Sequence, residues 1–296
     1  MNTSRALRAL ARRVTHRRRR IRRDADSLVR DDGCQGDAAI ATWIRSPARS
    51  ITRARIAGAT LLPSLIAWSS HAGAYRPFDG TDADVAELHQ VELEIGPAGY
   101  YQQASAHDFV SGGVIDFGFA SGFELVLQGF DYLETESSSS RNNKFTDTGI
   151  FVKHVWHDGC LQGKGGPSFA TEVGPLLPTI GDAMGFGAYV GGILSTCVGK
   201  SLIIHWNAEA QILRESYDLD VYGGAIVEPP PSEYVVRPVA EVFVERDFGG
   251  GQTYSGLLGA IWDVNQRLAL DVAVREALVD GKDASELRTG FSLSIP

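Results

Sequence analysis

The chain has 296 residues, 44% hydrophobic and 22% charged, with a formal net charge of −8 at pH 7. That length suits one large β domain or two ordinary ones, and no run of 18 apolar residues occurs, which excludes a helical membrane protein. The charge is unevenly placed: residues 1–74 hold 15 Arg and 5 Asp, a net of +10, which leaves −18 on residues 75–296.

Residues 1–48 are Arg-rich, with THRRRRIRR at 15–23. Clustered arginines neutralise phosphates in nucleic-acid arms. Here no aromatics are interleaved and an export signal follows, so the segment reads as a disordered extension upstream of the true start, with no nucleic-acid partner. In RSITRAR (49–55), IAGATLLPSLIAW (56–68) and SSHAGA (69–74) positive charge, an apolar run and small residues succeed one another. That is the order of a secretory signal peptide, with cleavage expected after Ala74. Residues 75–88 read as a short periplasmic lead-in.

From residue 89 the chain becomes a series of alternating segments with no long period of 3.6. About twelve are expected: 89–101, 108–120, 123–134, 148–157, 168–178, 185–198, 201–214, 217–228, 234–248, 253–265, 268–279 and 286–296. Most run 10–15 residues, whereas soluble strands usually run five or six and a tilted strand crossing a bilayer needs about 9–11. SLIIHWNAEAQILR (201–214) shows the pattern plainly. Leu202, Ile204, Trp206, Ala208, Ala210 and Ile212 share one parity, and His205, Asn207, Glu209 and Gln211 share the other. Short connections at 121–122, 198–201 and 265–267 suit inner turns, and longer ones at 133–147, 177–185, 246–253 and 279–285 suit outer loops. Pro238 inside a strand implies a bulge.

If lipid meets the apolar parity, the polar parity lines a lumen. The expected lining is Glu92, Glu94, Glu124, Gln128, His205, Asn207, Glu209, Gln211, Asp218, Asp220, Arg237, Glu241, Glu245, Asp271, Arg275 and Arg288. These charges either pair into a plugged scaffold that conducts nothing or guide a solute, in which case the acidic excess favours cations or neutral solutes near the wall.

Other constellations are weaker. His154 and His157, three apart on a strand, face opposite sides and do not share a metal. Ser195 or Ser201 with His205 and Glu209 is the local trio for a lipid-modifying enzyme, but His205 and Glu209 stand roughly 13 Å apart along a strand. No G-x-S-x-G elbow occurs. Cys160 and Cys197 fall at one rim, one strand apart. A disulfide there and two free thiols both remain open.

Several stretches resemble the family of outer-membrane proteins named for the MetA pathway of phenol degradation. They are RPFDGTDADVAELHQVELEIG (76–96), KHVWHDGCLQGKGGPSFATEVGPLLPTIGD (153–182), AEVFVERDFGG (240–250), LLGAIWDVNQRLALDVAVREALVD (257–280) and TGFSLSI (289–295). The resemblance implies a β-barrel that takes up aromatic or other hydrophobic compounds, and brings no catalytic residues.

The expectation is therefore an all-β fold: one antiparallel up-and-down transmembrane barrel over 89–296, exported to the bacterial outer membrane. Its partners would be outer-membrane lipid, the barrel-assembly machinery during biogenesis and a small solute, with no cofactor and no metal. A secreted β-sandwich that binds a ligand is the competing class, and a lipid-modifying barrel enzyme the third.

Overall fold

A computed structural model describes residues 76–103, 106–129, 131–137, 140–146, 148–179, 184–231 and 235–296. The Arg-rich stretch 1–48 and the expected signal peptide 49–74 lie outside the described residues. Fourteen strand segments follow one another: β1 (Val91–Gln103), β2 (Ala106–Ala120), β3 (Phe123–Gln128), β4 (Asp131–Ser137), β5 (Ser140–Thr146), β6 (Gly149–His157) and β7 (Ser168–Leu176). Then come β8 (Gly187–Val198), β9 (Leu202–Ile212), β10 (Leu219–Glu228), β11 (Val236–Asp247), β12 (Gln252–Asn265), β13 (Leu268–Val279) and β14 (Lys282–Ile295).

All pairings are antiparallel. β2 pairs β3 along Val114–Ala120 and β4 along His107–Ser111, while β3 pairs β6 and β4 pairs β5. The segments β3 and β4 are thus one wall strand interrupted near Gly129, and β5 and β6 are another. The interruption needs glycine: Gly129 has φ +120°, and a β-carbon there would sit 2.3 Å from the Thr148 α-carbon. Fourteen segments therefore make twelve wall strands. β1 pairs β14 on one side and β2 on the other, which closes the sheet into a barrel with no free edge. The sandwich alternative is overturned by that closure.

Both ends of the barrel wall, Val91 and Ile295, stand opposite each other at what we term the base. Burial alternates along the wall, and on β9 the inward residues are Ile203, His205, Asn207, Glu209 and Gln211. The outward parity is apolar and open, with Trp206, Val242, Val244, Leu258, Val272, Val274 and Leu287 exposed. Aromatic rings gather at its two margins. Phe119, Trp156, Phe169 and Trp262 lie near the base, and Tyr100, Phe109 and Tyr254 near the top. A packed protein interior would hide these side chains. An apolar band between two aromatic girdles is the surface a bilayer demands.

Two connections and one strand position differ from expectation. Residues 133–147, expected as a long loop, are mostly strand, so β4 and β5 carry the hairpin up to residues 138–139. Likewise 279–285 shrinks to a two-residue turn. Asp280 and Gly281 have φ +52° and +74°, the left-handed pair that a tight hairpin requires, and Asp-Gly meets it at least cost. Pro238 pairs in register with Ala260, without the expected bulge. A shift occurs instead at Ile95–Ala98 in β1.

Candidate functional site

A lumen enclosed by twelve strands is wider than wall side chains alone fill. Of residues 76–88, expected as a lead-in in the periplasm, the structure places 76–86 inside the barrel, where they cross the lumen, while Glu87 and Leu88 are exposed. Phe78, Asp79, Ala83 and Ala86 are buried. The segment has no regular structure, so its backbone groups need partners from the wall.

Inward side chains supply them one by one. Glu241 on β11 accepts the Asp79 N–H at 2.8 Å and the Gly80 N–H at 2.7 Å. Asn207 on β9 accepts the Thr81 N–H at 3.0 Å and donates to the Thr81 carbonyl at 2.9 Å, so its amide acts as a strand neighbour would. Ser195 on β8 accepts the Ala83 N–H at 2.9 Å, and Glu124 on β3 accepts that of Ala86. On β14, Arg288 donates to the Pro77 carbonyl at 2.7 Å. The chain then reaches the wall, where His89 N–H donates to the Gly118 carbonyl.

Side chains of the segment are paired as well. Asp79, wholly buried, accepts from Arg275 at 3.3 Å and Arg288 at 3.1 Å, and both arginines also meet Glu286. Two cations and two carboxylates thus offset one another, as burial of charge requires. Arg76 lies flat against the wall, donating to Asp271 and to the Thr289 carbonyl. Gly96 and Gly290 make room for it: a β-carbon at either would sit within 2.5 Å of the guanidinium. Lys153 on β6, also fully buried, stands 3.7 Å from Asp82 and 3.9 Å from Glu124. A cavity of about 20 Å³ remains between Gly80, Thr81, Glu94, Asp116, Lys153 and Glu172, room for about one water. Asp84 lies off the wall, and burial together with neighbouring Asp82 pushes its carboxyl up to about 6.

Of the expected lining, Glu92, Glu94, Glu124, Gln128, His205, Asn207, Glu209, Gln211, Asp220, Arg237, Glu241, Glu245, Asp271, Arg275 and Arg288 are all buried on the inward parity. Asp218 is corrected: it belongs to the connection before β10 and is not on the wall. Glu241, Asn207, Glu124 and Arg288 hold the segment, while Gln211 donates to Asp220 above it. His205 Nδ1 stands 2.8 Å from Ser195 Oγ, and its Nε2 stands 3.2 Å from Glu228. The acid beside His205 is thus Glu228 and not Glu209. Glu228 also receives Arg237, which reaches Asp263 at 2.9 Å. Ser195 is wholly buried and already accepts from Ala83. The trio therefore anchors the segment and presents no open nucleophile. His154 and His157 bond the Gly122 and Pro167 carbonyls.

The inward parity also carries aromatic residues, which its polar members do not signal. Phe151 and Tyr189 meet edge-on with centroids 5.0 Å apart and pack with Val114, Val126 and Leu176. Tyr222 and Phe243 lie 5.0 Å apart. Tyr101, Val110, Val279 and Ala284 cluster nearer the top. The wall above the segment is thus an apolar and aromatic surface with polar groups between.

Cys160 and Cys197 are joined, their α-carbons 6.0 Å apart.

No family model matches the chain, and no curated relative does. Among solved structures, it is similar to an outer membrane channel from Pseudomonas putida F1, with a TM-score of 0.56 at 8% identity over 74% of this chain and 100% of that one. The fold is that of an outer-membrane β-barrel. The NanC porin follows with a TM-score of 0.47 at 9% identity, over 69% of this chain and 98% of that one. For the KdgM porin the TM-score is 0.44 at 13% identity, over 70% and 99%.

Proposed function

We propose that this chain is a passive outer-membrane channel for small hydrophobic or aromatic solutes, closed at rest by its own residues 76–86. One observation carries the reading. Every hydrogen bond described between residues 76–86 and the wall involves a wall side chain or the flat Arg76, and none is a strand pairing. The segment can withdraw without breaking a single ladder bond of the barrel.

Supporting the solute class are the inward rings of Tyr101, Phe151, Tyr189, Tyr222 and Phe243, since planar solutes gain offset or edge-on contacts with such faces. The motif resemblance to the phenol-degradation family points the same way, and the likeness to an outer membrane channel bears on passage alone and not on the solute. In this reading the base faces the periplasm, the girdles sit at the two membrane interfaces, and a solute descends its gradient with no bond chemistry. Conductance of refolded 75–296 in planar bilayers, with phenols as blockers, tests it. Brief openings that phenol shortens are expected. A barrel that stays silent even when the segment is loosened would overturn the channel.

A further inference from the structure

The connection between β6 and β7, residues 158–167, folds back under the base and reaches the inserted segment. Leu161 packs against the cluster of Ala83, Val155, Ala170 and Ile193. The Gln162 side chain donates to the Ala83 carbonyl and to Asp84 Oδ1, each at 3.0 Å. It is held in that pose by Ser168 Oγ and the Gly159 N–H, which both donate to its carbonyl oxygen. From the other side, Ser195 accepts the Ala83 N–H. One residue of the segment is therefore gripped at both of its backbone polar groups, by two side chains from different parts of the chain.

Those two parts are the ones the disulfide joins. Cys160 precedes Gln162 by two residues, and Cys197 follows Ser195 by two. The ring runs from Gln162 through Ala83 to Ser195, on to Cys197 and back through Cys160. Among the described residues, the connection meets the segment through the Leu161 packing and the two Gln162 hydrogen bonds. Cys197 is exposed at the rim and Cys160 partly so, hence open to a thiolate arriving from solvent at the base.

We propose that the Cys160–Cys197 bond is a thiol-operated clasp on residues 82–85, opened by a dithiol reductant of the compartment facing the base. This rests on the channel reading only for what the clasp controls. A thiolate of the dithiol attacks one sulfur, and a mixed disulfide forms as the Cys160–Cys197 bond breaks. The second thiolate resolves it, so the partner leaves oxidised while two electrons and two protons stay on Cys160 and Cys197. With the bond cut, the connection keeps its own turns, the Leu161 packing and the Ser168 contacts, but the covalent tie that sets Gln162 against Ser195 is gone. The grip on Ala83 loosens while Glu241, Asn207 and Arg288 still hold residues 77–81.

Hydrogen exchange on the intact, detergent-folded barrel reads the clasp without reference to transport. On reduction with a phosphine, exchange across residues 82–86 should quicken about tenfold, the loss expected of one secured hydrogen bond in a buried setting. Strand amides and those of Asp79 and Gly80 should keep their rates. The double variant Cys160→Ser, Cys197→Ser should exchange at the fast rate with or without phosphine. Unaltered exchange at 82–86 in wild-type protein whose two thiols are shown by alkylation to be free would overturn the clasp. Conductance recorded in parallel separates the two ideas. Quickened exchange with a larger current supports both, and quickened exchange with no current in any variant keeps the clasp and removes the channel.

Discussion

Glu241 is where the inserted segment is most open to a decisive perturbation. Its carboxylate takes two adjacent backbone N–H groups, of Asp79 and Gly80, and the Tyr222 hydroxyl at 3.0 Å. Hydrogen bonds to a charged group contribute roughly 1.5–3 kcal/mol each, so the two amides together stand for about 3–6 kcal/mol. In Glu241→Ala, water enters the vacated space and recovers about half of that, leaving a net loss of about 1.5–3 kcal/mol. At 1.4 kcal/mol per factor of ten, local opening of residues 79–80 should rise about 10- to 150-fold. Hydrogen exchange followed by mass spectrometry, on protein folded in detergent, reads this directly. Gln211→Ala, whose partner is Asp220 and not the segment, serves as the control and should leave those amides at wild-type rates. Planar-bilayer recordings of the same variant should show more frequent openings. If the Asp79 and Gly80 amides in Glu241→Ala exchange as slowly as in wild type, the carboxylate is not what holds the segment, and the reasoning fails.

Further expectations concern the wall, a turn and pH. Leu258 is 72% exposed at the middle of β12 on the outward face; Leu258→Arg should cost about 2–4 kcal/mol if hydrocarbon surrounds it, read by urea titration in lipid vesicles, and no loss there would argue for water. Gly281→Val puts a β-branched residue at φ +74° and should cost about 1–2 kcal/mol in the same titration. The Asp84 carboxyl, raised from 3.8 to about 6, binds its proton more tightly in the folded chain. Its stabilising contribution is complete below pH 3.8, falls as pH rises to about 6 and is constant above. Exchange at residues 82–86 should therefore be slower at pH 4 than at pH 7 after correction for the intrinsic rate, and Asp84→Asn should flatten that difference.

Strand number and facing were legible because two different solvents act on the two parities. Leu202, Ile204 and Trp206 against His205, Asn207 and Glu209 leave little choice of which side is which. The hairpin at 280–281 was also present in the letters, as Asp-Gly, but the polar run VDGKDAS hid it within an apparent loop, and Glu286, the partner of Arg275 and Arg288, lay at that misplaced boundary. Lys153 is not marked as inward by the sequence because its inward neighbours, Phe151 and Val155, are apolar, so the parity of β6 gives no clear alternation. Residues 76–88 were not readable at all. FDGTDADVAEL has no period, and its acids and small residues suit a hydrated turn equally well. Only the width of a twelve-strand lumen hints that something else must fill it.

That width gives the acidic wall a different meaning from the one its charge first suggests. A row of inward carboxylates looks like a guide for cations. Yet Glu241 and Glu124 are engaged by backbone N–H groups, and Glu286 and Glu228 by arginines. An irregular segment buried without strand partners has orphan donors at nearly every residue, and carboxylates, an amide and a hydroxyl facing inward are the acceptors that satisfy them. The same groups would meet water once the segment withdraws, so neither state leaves them stranded. A wall of apolar side chains would hold the segment poorly, and a wall of strand edges would hold it permanently. For the channel proposed above, side-chain acceptors on a closed sheet are the arrangement that would let the segment leave without unzipping the wall.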